Sequence, residues 1–253
     1  MKWCSSIIVC SIKVCASLNQ FIDDFKLATL SAPLILSMLI SGSAETIDGL
    51  LVGHFLGPEA FAVFRYGARE LPFSSLLAAA LSTAMVARLS QTEISSDALK
   101  ELKHETAWLM HAVFPISILF VLCSHWLYPL LFSSTFLPSA GVFNIYLLLV
   151  ISRSFFPQAV VMASGRHDVI FKTALIELPL NVLFSVLLIF PLGIKGVAWG
   201  TFIAFLAEKL ILAYRLNLIS GIKLSDFQPI RLWIIYSVLM LVAFFASEFI
   251  EYQ

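Results

Sequence analysis

The residues of this 253-residue chain that could do chemistry are charged groups set into long apolar runs. Glu45 and Asp48 stand three apart in SAETIDGLLVGHFLG, on one side of a helix, and can face a cavity that meets cations or lie at the headgroup boundary. Arg65 and Arg69 in FRYGARELP are four apart and read as neighbours on one helical face. Guanidinium groups there can hold a phosphate in a bidentate grip or anchor the end of a span to headgroups. Glu70, beside Pro72, is placed to complement the dipole of a helix start.

Deeper in the apolar sequence are Arg153, four residues before Pro157, and Glu177, flanked by Pro179 and Asn181. A hairpin through SGRHDV would bring these two at similar depth, as a structural ion pair or with Arg153 turned to an anion in a lumen. Glu208 and Lys209 are adjacent, so they are expected on different faces and not paired with each other. Each charge at the centre of a membrane costs about 2.5–3.5 kcal/mol to insert, so these residues need partners or function.

The elements that must position them are membrane helices. The chain is 60% hydrophobic and 13% charged, against about 25% charged in soluble domains. Spans of about 20 residues are expected over 28–55, 71–89, 107–132, 142–163, 169–190, 197–218 and 232–249. The fold class is all-α, a polytopic membrane bundle of about seven transmembrane helices. A polar, helix-prone stretch at 90–108 is expected as an amphipathic surface helix leading into the third span. Residues 1–26 read as a leader or interfacial helix, 27–220 as a six-helix lobe and 221–253 as an additional transmembrane helix.

Lysines and arginines alternate sharply between the two sides. Lys2, Lys13, Lys26, Arg88, Lys100, Lys103, Arg166, Lys172, Arg215, Lys223 and Arg231 fall on one side, against Arg65, Arg69 and Lys195 on the other. This bias places the N-terminus in the cytoplasm and the C-terminus outside.

Zero formal net charge gives no field for nucleic acid. The four cysteines form no framework, and there is no HExxH, phosphate loop or GxSxG elbow. The expected class is a transporter, channel or membrane scaffold rather than an enzyme, with no cofactor and no metal. Gly196 and Gly200 form a GxxxG pair, a signal for close helix packing.

Two stretches carry a resemblance. In APLILSMLISGSAETIDGLLVGHFLGPEAFAVFRYGARELP the matching positions are Asp48, Gly53 and Gly57. In SGRHDVIFKTALIELPLNVLFSVLLIFPLGIKGVAWGTFIAF they are Gly165, Arg166, Asp168, Glu177, Asn181, Gly193, Gly196, Ala198, Gly200 and Thr201. Over roughly residues 26–220 the chain resembles a flippase of the multidrug/oligosaccharidyl-lipid/polysaccharide (MOP) superfamily, within it the O-antigen and capsule repeat-unit flippases.

That resemblance implies two six-helix lobes around a V-shaped cavity that passes a polyprenyl-pyrophosphate-linked oligosaccharide across the bacterial cytoplasmic membrane. It implies a substrate-binding role for Arg65, Arg69 and Arg153, and cavity-lining polar roles for Glu45, Asp48, Glu177 and Asn181. The partners it implies are the lipid-linked glycan and membrane lipid. Seven spans match a second, C-terminal lobe followed by one helix, so a second lobe or a homodimer is expected, unless the chain is a non-transporting truncated fragment. A cation-coupled multidrug exporter of the same fold is the other expectation, with Glu45 and Asp48 as the cation-binding acids.

Overall fold

The computed structural model describes residues 32–91, 94–132 and 134–251, and all elements among them are helical. The stretch expected as a leader, 1–26, lies outside the described residues. The helices are α1 (Ala32–Leu56), α2 (Pro58–Gly67), α3 (Pro72–Gln91), α4 (Ser96–Leu131), α5 (Leu137–Leu147), α6 (Val150–Arg153), α7 (Pro157–Ala163), α8 (His167–Leu192), α9 (Ile194–Ser220), α10 (Leu224–Phe227) and α11 (Ile230–Glu251). Six are long and apolar enough to cross a membrane, and Leu137–Arg153 with Pro157–Ala163 makes a seventh span bent by 44°. With the bent pair counted as one span, the described residues hold the seven spans that the apolar runs predict.

The bilayer explains their surfaces. Side chains such as Leu119, Leu187 and Phe245 are 57–60% exposed because hydrocarbon, not protein, covers them. Trp108 and Trp126 are both exposed on α4. Their eighteen-residue separation puts them about 27 Å apart along the helix, a spacing that matches the distance between the two interfacial belts where indole rings settle. α4 itself is 36 residues long, about 54 Å, so its first turns stand clear of the hydrocarbon. From Ser96 on, the polar stretch expected as a surface helix leading into the third span is continuous with that span as one helix. Ser95 starts it, its hydroxyl accepting from the Ala98 amide at 3.2 Å.

The fourth span is the centre of the bundle, buried without interruption from Ser139 to Ser152. α2, α4 and α9 surround its first half, and α3 and α9 flank α7. α8 and α9 form an antiparallel hairpin, and here the GxxxG spacing does what it predicts. Gly196 lies on the Leu188 carbonyl and Gly200 on the backbone of Ser185, so close that a Cβ at either would overlap the opposing main chain.

Two apolar clusters hold the lobe. One, with Phe64, Tyr128, Val142 and Phe244, fills the middle and the end that carries Arg65 and Lys195. The other, with Leu89, Leu102, Ile170 and Phe227, fills the end where Arg88, Lys103 and Arg215 gather. Where they meet, the chain places its intramembrane charges.

Candidate functional site

α1 meets the lobe along one stripe, Ser37, Ala44, Asp48 and Val52, all at most 4% exposed. The stripe drives Asp48 into the α8–α9 hairpin. There the Thr201 hydroxyl donates to Asp48 Oδ2, and Ser185 Oγ donates to Oδ1 at 3.3 Å. Asn181 Nδ2 donates to Thr201 Oγ1 at 3.2 Å. All four residues are at most 1% exposed. The Asn181 carbonyl oxygen is buried close by without a hydrogen-bond partner among the described residues, and the Tyr146 hydroxyl from α5 is buried against Thr201. A carboxylate with surplus oxygens and no facing guanidinium or ammonium is chemically suited to take a proton or a small hard cation. Glu45, one turn earlier, is exposed at the edge of the stripe, within charge range of Asp48 and Arg153. The two acids share a side of α1 but not an environment.

A second polar group lies nearer the basic end. Arg153, the last residue of α6, meets Glu70 in a fork, Nε to Oε2 at 3.1 Å and Nη2 to Oε1 at 2.7 Å. Its guanidinium carbon sits 5.3 Å from the centre of the Phe205 ring. Glu177 accepts instead from Ser41 Oγ of α1 at 2.8 Å. The Arg153–Glu177 pair expected from matching depth is therefore not formed. α8 is turned so that Glu177 faces α1, while the short turn after α2 dips Glu70 to Arg153. Glu70 consequently acts as a counter-ion, not as the helix-start carboxylate predicted for it.

Glu208 and Lys209, expected apart, pair at 2.9 Å, because the lysine stem folds back far enough to reach both Glu208 and Gln158 Oε1, the latter at 2.8 Å. Arg65 and Arg69 do not share a helical face either. α2 stops at Gly67, Ala68 N returns to Phe64 O at 2.7 Å, and Arg69 falls in the turn. Both arginines are exposed at the end opposite the basic one, and neither makes an ion pair or side-chain hydrogen bond among the described residues.

Ser185, Tyr146 and Ser41 escaped sequence reading, because hydroxyls are too common in spans to stand out. One signal was available: Ser185 follows Asn181 by four residues, on the same face of α8.

The folded lobe and its two intramembrane polar groups define a class. The chain has the fold of MOP superfamily transporters. A MOP superfamily transporter from Pyrococcus furiosus is similar with a TM-score of 0.61 at 18% identity, over 84% of this chain and 51% of that one. A multidrug resistance MATE family transporter of the same superfamily, in an outward-facing conformation, is similar with a TM-score of 0.53 at 17% identity, over 86% and 51%. This chain spans about half the length of each solved structure it matches. Within that class its sequence is more specific: residues 2–141 match the family described as polysaccharide biosynthesis protein, and the chain belongs to that family. Among curated proteins none matches it.

Proposed function

We propose that this chain is one lobe of a flippase that moves a polyprenyl-pyrophosphate-linked oligosaccharide across a bacterial cytoplasmic membrane. Membership of the polysaccharide biosynthesis family supports this substrate class. The observation that carries the phosphate contact is the pair Arg65 and Arg69, two exposed guanidiniums with no internal counter-ion among the described residues. Arg153 is engaged by Glu70, so a phosphate reaches it only by displacing that carboxylate. Asp48 supplies the coupling site, binding a proton or cation in one stage of the cycle. The cytoplasmic side is the basic end, by the charge bias of the loops.

A second reading, export of a cation, is favoured by the sign of the intramembrane groups. Among the described residues the buried interior holds four acids, Asp48, Glu70, Glu177 and Glu208, against two cations, Arg153 and Lys209, paired to Glu70 and Glu208. Binding separates the two readings. Full-length chain in lipid nanodiscs is titrated with a short-chain polyprenyl pyrophosphate and, separately, with an organic cation. Under the flippase reading Arg65→Ala with Arg69→Ala weakens pyrophosphate binding about tenfold or more, the loss of a charge-assisted hydrogen bond of about 1.5–3 kcal/mol. Unchanged pyrophosphate binding, with cation binding that depends on Glu177, supports the exporter instead.

A further inference from the structure

The bend in the fourth span frees backbone carbonyls at mid-bundle, where water cannot serve as their partner. Two of them are met from outside the span. Trp233 Nε1 donates to Ile151 O at 2.9 Å, and Gln228 Nε2 donates to Ser154 O at 3.0 Å. Gln228, 1% exposed, lies between α10 and α11, and Trp233 stands in the first turn of α11. The end of α10 and the start of α11 also grip the break by their rings. Phe227 lies parallel to Phe155 at 6.5 Å, and Trp233 packs on Phe155 at 5.5 Å.

α11 is itself fixed at two further points beyond this grip. Tyr236 stacks on Phe114 at 5.0 Å and its hydroxyl meets His111 Nδ1 at 2.7 Å. At the far end Lys195 Nζ donates to both oxygens of Glu248, at 3.0 and 2.8 Å. The helix is thus a rigid member bearing on a bent one.

Directly across the bend is Arg153, adjacent in sequence to Ser154, whose carbonyl Gln228 holds. The Ser154 carbonyl belongs to the peptide plane just after Ser154 and the Ile151 carbonyl to the plane just after Ile151, so the two bonds bracket Arg153 and fix the backbone on either side of it. We propose that α10 and the first turn of α11 form a brace that sets the bend of the fourth span and so positions Arg153 on Glu70. Gln228 and Trp233 act as positioning residues through the backbone of 151–154. The seventh span, read from sequence as an addition to a six-helix lobe, is then the part that holds the lobe's intramembrane arginine in place. This holds whichever substrate crosses, so its test reads Arg153 rather than transport.

Trp233→Phe keeps a ring against Phe155 and removes the N–H, and Gln228→Met keeps the length and removes the amide. Full-length wild type, each single variant, the double variant and Glu70→Gln are placed in nanodiscs. Hydrogen exchange over 149–157 and phenylglyoxal modification of Arg153 are followed by mass spectrometry. In the double variant, exchange over 149–157 rises about tenfold. Arg153 modification rises toward the Glu70→Gln level, while exchange of α8 and α9 is unchanged. Unaltered Arg153 modification overturns the proposal, as does an equal rise across α8 and α9, which would mean general loosening. Should the double variant not fold, Trp233→Phe alone carries the same test with a smaller rise.

Discussion

Replacing Gly200 with valine removes the folded lobe. A Cβ at this position would stand 2.5 Å from the Ser185 amide nitrogen, 2.6 Å from its Oγ and 2.8 Å from its Cα. Main-chain atoms cannot swing aside as a flexible side chain can, so α8 and α9 must part. Overpacking costs about 1–3 kcal/mol where side chains can adjust, and more where they cannot. Against a total stability of about 5–15 kcal/mol that is decisive for a hairpin central to the bundle. The damage also reaches the site, since Ser185 and Thr201, the next residue after Gly200, are the two donors to Asp48. The check is fluorescence-detected size exclusion after heating in detergent. Gly200→Val gives no monodisperse peak, and Gly200→Ala a peak that is lost at lower temperature than wild type. A valine variant as heat-resistant as the parent would show that the helices do not touch here.

Arg153→Ala has the second-largest effect, and its size depends on Glu70. Removing the guanidinium leaves a carboxylate only 13% exposed without its partner, and breaking a buried pair in this way costs about 3–5 kcal/mol. Arg153 is 36% exposed and keeps the Phe205 face, which places the loss at the low end of that range. Replacing both members, Arg153→Met with Glu70→Gln, restores most of the stability because no unpaired charge remains. Thermal midpoints of wild type, Arg153→Met, Glu70→Gln and the double variant form a double-mutant cycle, in which the double variant loses much less than the sum of the two singles. Additive losses would contradict the pairing, and coupling of Arg153 to Glu177 instead would reinstate the partner that depth alone suggested.

That contrast shows what a membrane sequence displays and what it hides. The bilayer fixes how long an apolar run must be, so seven spans were legible, and Pro157 marked the bend of the fourth. Depth was also legible, because it is counted along the chain from the loops. Rotation was not. Helices in lipid are apolar on nearly every side, so the pattern that turns a soluble helix inward is missing, and Glu177 could not be seen to face Ser41. Glu70 was hidden by its loop, since a turn that dips into a bundle looks the same in sequence as one that stays at the surface. Asp48 stood out as an acid in an apolar run, and resemblance to a family favoured it over Glu45. Its donors on α8 and α9 became visible only when Gly200 brought those helices within contact.

The central claim is that a lipid pyrophosphate is carried past Arg65 and Arg69 with Asp48 as the coupling group. It is tested by translocation of a fluorescent polyprenyl-pyrophosphate-linked sugar in vesicles holding the full-length chain, under an imposed cation or proton gradient. Arg65→Ala with Arg69→Ala stops translocation, and Asp48→Asn leaves only slow movement that no longer responds to the gradient. Full gradient-driven translocation by both variants would contradict the account.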